Sequence, residues 1–171
     1  ATVAHMYNRA MDGSTKLKSG IQAINRSLNG GFESDRCYIY LGLPGEGKSS
    51  TLLNLTLQIK ANNKDVKTKD PTKRPTILFL TMENTLNETL ERVFGILVSD
   101  EDISEFGGHK EVMRLLKQNG LGVTNDSPID IEFRYVPSNS VDTDYLYTIY
   151  DEMNANGQEV ICLVQDYIKR I

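Results

Sequence analysis

The chain has 171 residues, the length of a single domain at about 100–200 residues each. Hydrophobic residues make up 39% and charged residues 25%, so there is material for a sizeable core and disorder is excluded as an overall description. With 19 Lys and Arg against 23 Asp and Glu the net charge is −4, which is no nucleic-acid signature for the whole chain, although a local patch or a ring-shaped assembly could still bind DNA.

No apolar run approaches the roughly 20 residues of a membrane helix, and the first residues lack the apolar core of a signal peptide. The expected location is therefore cytoplasmic. Cys37 and Cys162 each sit in an apolar run that predicts a buried strand, so they read as two small core residues rather than as a disulfide.

Residues 1–18 form a lead-in, in which Val3, Met6, Tyr7 and Ala10 fit one stripe of a short helix. A helix of that length is marginal in water and needs a surface to dock on; a frayed terminus is the equal alternative. From residue 19 to 171 the pattern alternates helix and strand. Ile21, Ile24 and Leu28 share a helical face that Asn29-Gly30-Gly31 stops. Cys37 to Leu41 predicts a short apolar strand. Leu52, Leu55 and Ile59 then suit a helix; Leu53 and Leu57 fit a strand period as well, and the glycine-rich turn before them decides for helix.

Residues 60–74 read as a polar loop, followed by an apolar strand from Thr76 to Leu80. Thr85 and Glu88 form a capping-box pattern ahead of a stripe at Leu86, Leu90, Val93, Phe94 and Leu97. Residues 99–107 are acidic, and His109 to Asn119 predicts a helix ending at Gly120. Ile131 to Val136 alternates as a strand. Asp142 caps a helix carrying Leu146, Ile149, Tyr150 and Met153, which stops at Gly157. Val160 to Val164 is expected to be a buried strand leading to Asp166. Alternating strands and helices imply an α/β layer fold with a mainly parallel sheet.

The segment Gly42-Leu43-Pro44-Gly45-Glu46-Gly47-Lys48-Ser49, with Ser50 after it, matches the phosphate-loop pattern in full. Gly42, Gly45 and Gly47 allow the backbone to curl and aim its N–H groups at phosphate oxygens. Lys48 supplies an ammonium for the outer phosphates, and Ser49 a hydroxyl for Mg²⁺. The helix that follows adds the positive end of its dipole. ATP and Mg²⁺ are the implied ligands.

Such a site needs a carboxylate at the end of an adjacent buried strand to hold the metal, and Asp166 fits that position. Gln165 is a polar interruption just before it. Hydrolysis also needs a group to orient and polarise water. Glu83 stands just past the Thr76–Leu80 strand and is the candidate; its alternative is a helix-start glutamate that only favours the dipole. The run Lys60, Lys64, Lys67, Lys69, Lys73 and Arg74 could be taken for a DNA patch but reads better as a solvated helix-to-strand loop. Neither His5 nor His109 has a partner at ligand spacing.

Four stretches in order carry a family likeness: LKSGIQAINRSLNGGFESD, GLPGEGKSS, FLTMENTLNETLERV and VICLVQDYIKRI. Across about residues 17–171 the chain resembles the RecA-like motor domain of DnaB-type replicative helicases, particularly phage versions. The resemblance puts the catalytic glutamate on Glu83 and the metal-binding Asp-Tyr pair on Asp166 and Tyr167. Gln165 departs from the apolar residue expected there. The likeness implies a RecA-like P-loop core that is incomplete at its C-terminus. Ile171 is five residues past Asp166, so the family's later strands, polar sensor, DNA-contacting loops and arginine finger are expected beyond it. Lys169 and Arg170 are weak DNA-contact candidates on the same ground.

As partners the resemblance implies single-stranded DNA and identical subunits in a ring, commonly a hexamer. A primase or a helicase loader are further candidates, no membrane is expected, and the setting is the bacterial host cytoplasm if the source is a phage. The activity implied is ATP hydrolysis coupled to translocation and duplex unwinding. A recombinase-type RecA-like ATPase, or a nucleotide-binding regulatory module without turnover, would share the same motifs.

Overall fold

The computed structural model describes residues 16–98, 110, 111, 114, 127–137 and 142–166. Their element order is β1 (Lys16–Leu17), α1 (Gln22–Ser27), β2 (Phe32–Glu33), α2 (Lys48–Asn62), β3 (Arg74–Thr81), α3 (Leu86–Leu97), β4 (Asp130–Tyr135), α4 (Thr143–Ala155) and β5 (Gln158–Asp166). The lead-in helix stripe, most of the 109–119 helix, and residues 167–171 with Tyr167, Lys169 and Arg170 lie outside the described residues.

Three parallel strands form the sheet, in the order β4-β3-β5. The central strand β3 is buried from Pro75 to Thr81, which explains its continuous apolar run: a strand covered on both faces has no polar side to show. Its alternate residues serve two layers. Leu78 and Leu80 pack with Val136 and with Ile149 and Met153 of α4. Phe79 packs with Leu53 and Leu57 of α2 and Val93 of α3, and Ile77 with Ile59 and Ile129. Helices thus cover both faces, as the α/β expectation required, and Leu53 and Leu57 are buried on a helix.

Local signals act where the sequence places them. Thr85 accepts a hydrogen bond from the Glu88 backbone while the Glu88 side chain accepts from Thr85, a complete capping box. The Asp142 side chain accepts from the Tyr145 N–H at 2.8 Å and starts α4. Gly31 allows the β1–β2 pairing: a Cβ there would sit 2.4 Å from the Leu17 carbonyl oxygen, at a φ of 143°. Asn63 then bridges to this small hairpin, accepting from the Lys18 N–H at 2.8 Å and donating to the Lys18 carbonyl at 2.9 Å.

The register of β5 shifts by one residue between Thr76 and Ile77 of β3. Thr76 pairs with Val160, but Ile77 pairs with Cys162, so Ile161 is the extra residue of a bulge. Val160 therefore faces α4, while Cys162 and Val164 join the α2 side. The shifted register carries on to set Asp166 opposite Thr81.

Two strand expectations are corrected. Cys37 to Leu41 forms no strand and is exposed, with Ile39 at 71% and Leu41 at 84%. An extended segment becomes a strand only when a neighbour takes its backbone N–H and C=O groups, and none of the described strands does so here. Cys37 is accordingly an exposed free cysteine rather than a core residue. The beginning of the segment is anchored by Tyr38, whose ring meets Phe32 edge-on at 5.0 Å and whose hydroxyl accepts from the Glu33 N–H at 3.0 Å. The second correction is β5. It is an edge strand among the described residues, so most of its residues are half-buried and Leu163 is 37% exposed.

The basic run also divides. Lys60 belongs to the last turn of α2 and is only 6% exposed, its ammonium donating to the Ile129 carbonyl at 2.5 Å. Burial pushes its pKa down, with Asp130 opposing. Lys64 and Lys67 are exposed, while residues 69–74 are fastened at the amino-terminal end of the sheet. Glu159 accepts from the backbone N–H groups of Lys69 and Asp70, Lys73 reaches Asn154 and Asp70, and Arg74 pairs with Asp130 at 2.9 Å.

Candidate nucleotide site

The loop and the carboxylates gather at the opposite, carboxyl-terminal end of the strands. α2 begins at Lys48, directly after Gly47, which takes a left-handed φ of 74° and provides no side-chain cap. The first-turn N–H groups of α2 are therefore free of a side-chain acceptor at this cap, which is the arrangement a phosphate uses. Pro44 and Gly45 shape the turn ahead of it. Glu46 N–H donates to the Leu43 carbonyl at 3.3 Å, and Gly45 at φ 83° occupies the position where such a turn needs a glycine.

Lys48 and Glu46 both fold back onto Leu43. The Lys48 ammonium donates to the Leu43 carbonyl at 2.8 Å, and the Glu46 Oε2 accepts from the Leu43 N–H at 3.0 Å. Gly42 lies beneath them: a Cβ there would be 3.3 Å from Lys48 Cγ and 3.4 Å from Glu46 Oε2.

Ser49 Oγ donates to Asp166 Oδ1 at 3.0 Å. Asp166 is 4% exposed and ends β5 beside the end of β3, where the Met82 N–H donates to its backbone carbonyl at 2.9 Å. A buried carboxylate and a hydroxyl in contact are two hard oxygen donors, the ligand type that Mg²⁺ takes. The pair therefore fits the ion expected there. Gln165, the polar interruption, is half-buried and donates weakly to the Met82 sulfur at 3.7 Å.

Glu83 follows Met82 at the same sheet edge and is exposed. Its position is set by a turn in which the Thr81 hydroxyl donates to the Asn84 carbonyl at 2.9 Å and accepts from the Asn84 N–H at 3.2 Å. β3, which ends two residues before Glu83, lies between β4 and β5 and does not pair with the 37–41 segment. Lys48, Ser49, Asp166 and Glu83 thus lie at one end of the sheet, and Ser49 and Asp166 touch. Ser50, one position further along α2, is exposed.

In the sequence Glu46 is marked only as a member of the loop. Its contact with Leu43 follows from the turn at Pro44-Gly45, which brings residues three apart together. The bulge at Ile161, which sets how Asp166 is presented, had no signal in the residue pattern.

A parallel α/β sheet with a phosphate-loop turn opening a helix, and a carboxylate at the adjacent strand end, defines a P-loop ATPase domain. Within that class the assignment is narrower. The sequence model of the divergent DnaB-like ATPase family matches residues 1–171, and the chain belongs to that family. No curated protein matches the chain significantly. No helix among the described residues is long and apolar enough to cross a membrane.

Proposed function

We propose that this chain is the nucleotide-hydrolysing part of a ring-forming motor of the replicative helicase type, which moves on single-stranded DNA and separates duplex strands. The observation that carries the proposal is the contact between Ser49 and Asp166, which joins the phosphate loop to the end of β5 in a member of the DnaB-like family.

In this reading Lys48 exchanges the Leu43 carbonyl for phosphate oxygens, where its charge is worth more than on a neutral acceptor. Ser49 and Asp166 hold Mg²⁺, which when bound neutralises charge on the phosphates. Glu83 orients a water molecule and accepts its proton. An arginine finger and the DNA-contacting loops are supplied by residues other than those described, and identical subunits complete each site in a ring, commonly a hexamer.

The test is ATP turnover by the whole protein with and without single-stranded DNA, alongside its mass in solution with nucleotide. The proposal expects turnover that rises with single-stranded DNA and a ring-sized assembly. Turnover indifferent to DNA, in a species no larger than a monomer, overturns it.

The exposure of Glu83 favours one second reading, a nucleotide-holding regulatory module without turnover, because a general base works best where water is restrained. Nucleotide binding with no hydrolysis under any DNA condition would select that reading.

A further inference from the structure

The phosphate loop gathers N–H donors and a lysine, yet it contains one acidic side chain, Glu46. An ionised carboxylate only accepts hydrogen bonds. Here it takes one from the Leu43 N–H at 3.0 Å, while the carbonyl of the same residue holds the Lys48 ammonium at 2.8 Å. The Pro44-Gly45 turn keeps Glu46 close to Leu43, since the Glu46 N–H also donates to the Leu43 carbonyl. Both side chains lie over Gly42, within 3.3–3.4 Å of where its Cβ would be. A group of phosphates that draws Lys48 away from Leu43 therefore approaches the Glu46 carboxylate as well, and like charges repel.

We infer that Glu46 sets the affinity of the loop: its carboxylate latches the loop onto Leu43 and opposes the phosphates of a nucleotide. The inference rests on the nucleotide-site reading above and deepens it. Glu46 is exposed, and two unit charges about 6–8 Å apart in a water-screened loop, at an effective dielectric of about 40–80, repel enough to weaken binding about 3- to 10-fold. The effect acts on phosphates alone, because a nucleoside without them carries no charge for Glu46 to repel.

The test compares the whole protein with Glu46→Gln, which keeps an acceptor for the Leu43 N–H and removes only the charge. Affinities are measured for Mg-ATP, inorganic pyrophosphate and adenosine, at low and high salt. Expected is a 3- to 10-fold gain for Mg-ATP and pyrophosphate, no change for adenosine, and a smaller gain at high salt. Unchanged or weaker pyrophosphate binding by Glu46→Gln, while the parent binds normally, overturns the inference. A gain shared equally by adenosine overturns it too, because charge would not be the cause. Equal Mg-ATP affinity in the parent and Lys48→Ala marks a different failure, that of the nucleotide-site reading itself.

Discussion

Ser49 Oγ and Asp166 Oδ1 are hydrogen-bonded at 3.0 Å although 117 positions separate them in the chain. The bond ties the first turn of α2 to the last residue of β5. Asp166 is buried, and a buried carboxylate needs such a partner. In the proposed reading this pair would hold the Mg²⁺ ion.

Asp166→Asn keeps the shape and removes the charge, so its effect belongs to the metal. The expected outcome is loss of the Mg²⁺-dependent part of ATP affinity, about tenfold or more (~1.4 kcal/mol), with Mg²⁺-free affinity retained. Binding titrations with magnesium and with a chelator measure the difference. A variant whose affinity still rises normally with Mg²⁺ places the metal ligand elsewhere.

Lys48→Ala removes the ammonium that rests on the Leu43 carbonyl. Charge-assisted hydrogen bonds contribute about 1.5–3 kcal/mol, so ATP affinity falls about 10- to 100-fold. The fold is unaffected, because the lysine's partner is an exposed loop carbonyl that water can satisfy. Calorimetric titration checks the first statement and thermal melting the second.

For Glu83 the separating variant is glutamine, which keeps size and polarity but cannot take the proton. ATP binding is retained, and turnover by the whole protein falls about 10²- to 10⁴-fold. Turnover at the parent rate would leave Glu83 as a residue of the turn before α3 and put the base elsewhere.

Phe79 and Ile39 test the corrected architecture. Phe79 of β3 is fully buried against the helices α2 and α3, with its ring centroid 5.4 Å from that of Phe133. Phe79→Ala therefore costs about 3–5 kcal/mol in a denaturant titration. Ile39 lies in the apolar run before the phosphate loop but packs as a surface residue, so Ile39→Ser changes stability by about 0.5 kcal/mol or less. A cost near that of a core residue would mean that the 37–41 segment is covered in the protein under test.

The cysteines separate by chemistry. Burial pushes the Cys162 thiol up to about 11, whereas Cys37 is exposed. At about pH 8 a thiolate-selective reagent labels Cys37 and leaves Cys162 unmodified until the protein unfolds. The unfolded thiol ionises near 9.0, so between 9.0 and about 11 the folded protein holds this proton and the unfolded chain does not. That contribution to stability is intact below 9.0 and is lost as pH rises through about 11. Lys60, with its lowered pKa, acts in the opposite direction, so the measurement is the difference in pH slope between the parent and Cys162→Ala.

Where a feature depends on neighbours along the chain, the residues alone determine it. The Thr85–Glu88 box, the Asp142 cap and the turn at Leu43 to Glu46 all rest on hydrogen bonds within a few positions, and the apolar run of β3 is legible in the residues themselves. The phosphate-loop turn and the helix it opens belong to the same class, and so does the family likeness, which lies in short contiguous segments. Tertiary structure alone decided what each apolar run meets. Val160–Val164 and Cys37–Leu41 look alike in sequence, yet one pairs with β3 and the other stays exposed, because strand formation requires a partner that composition does not name. Lys60 reads as one of six basic residues, but the end of α2 buries it against Ile129, a contact across 69 positions. The presentation of Asp166 rests on a single extra residue at Ile161. Continuing the register of Arg74 and Gln158 without it would set Gln165 opposite Thr81, and side chains on a strand change face with every residue.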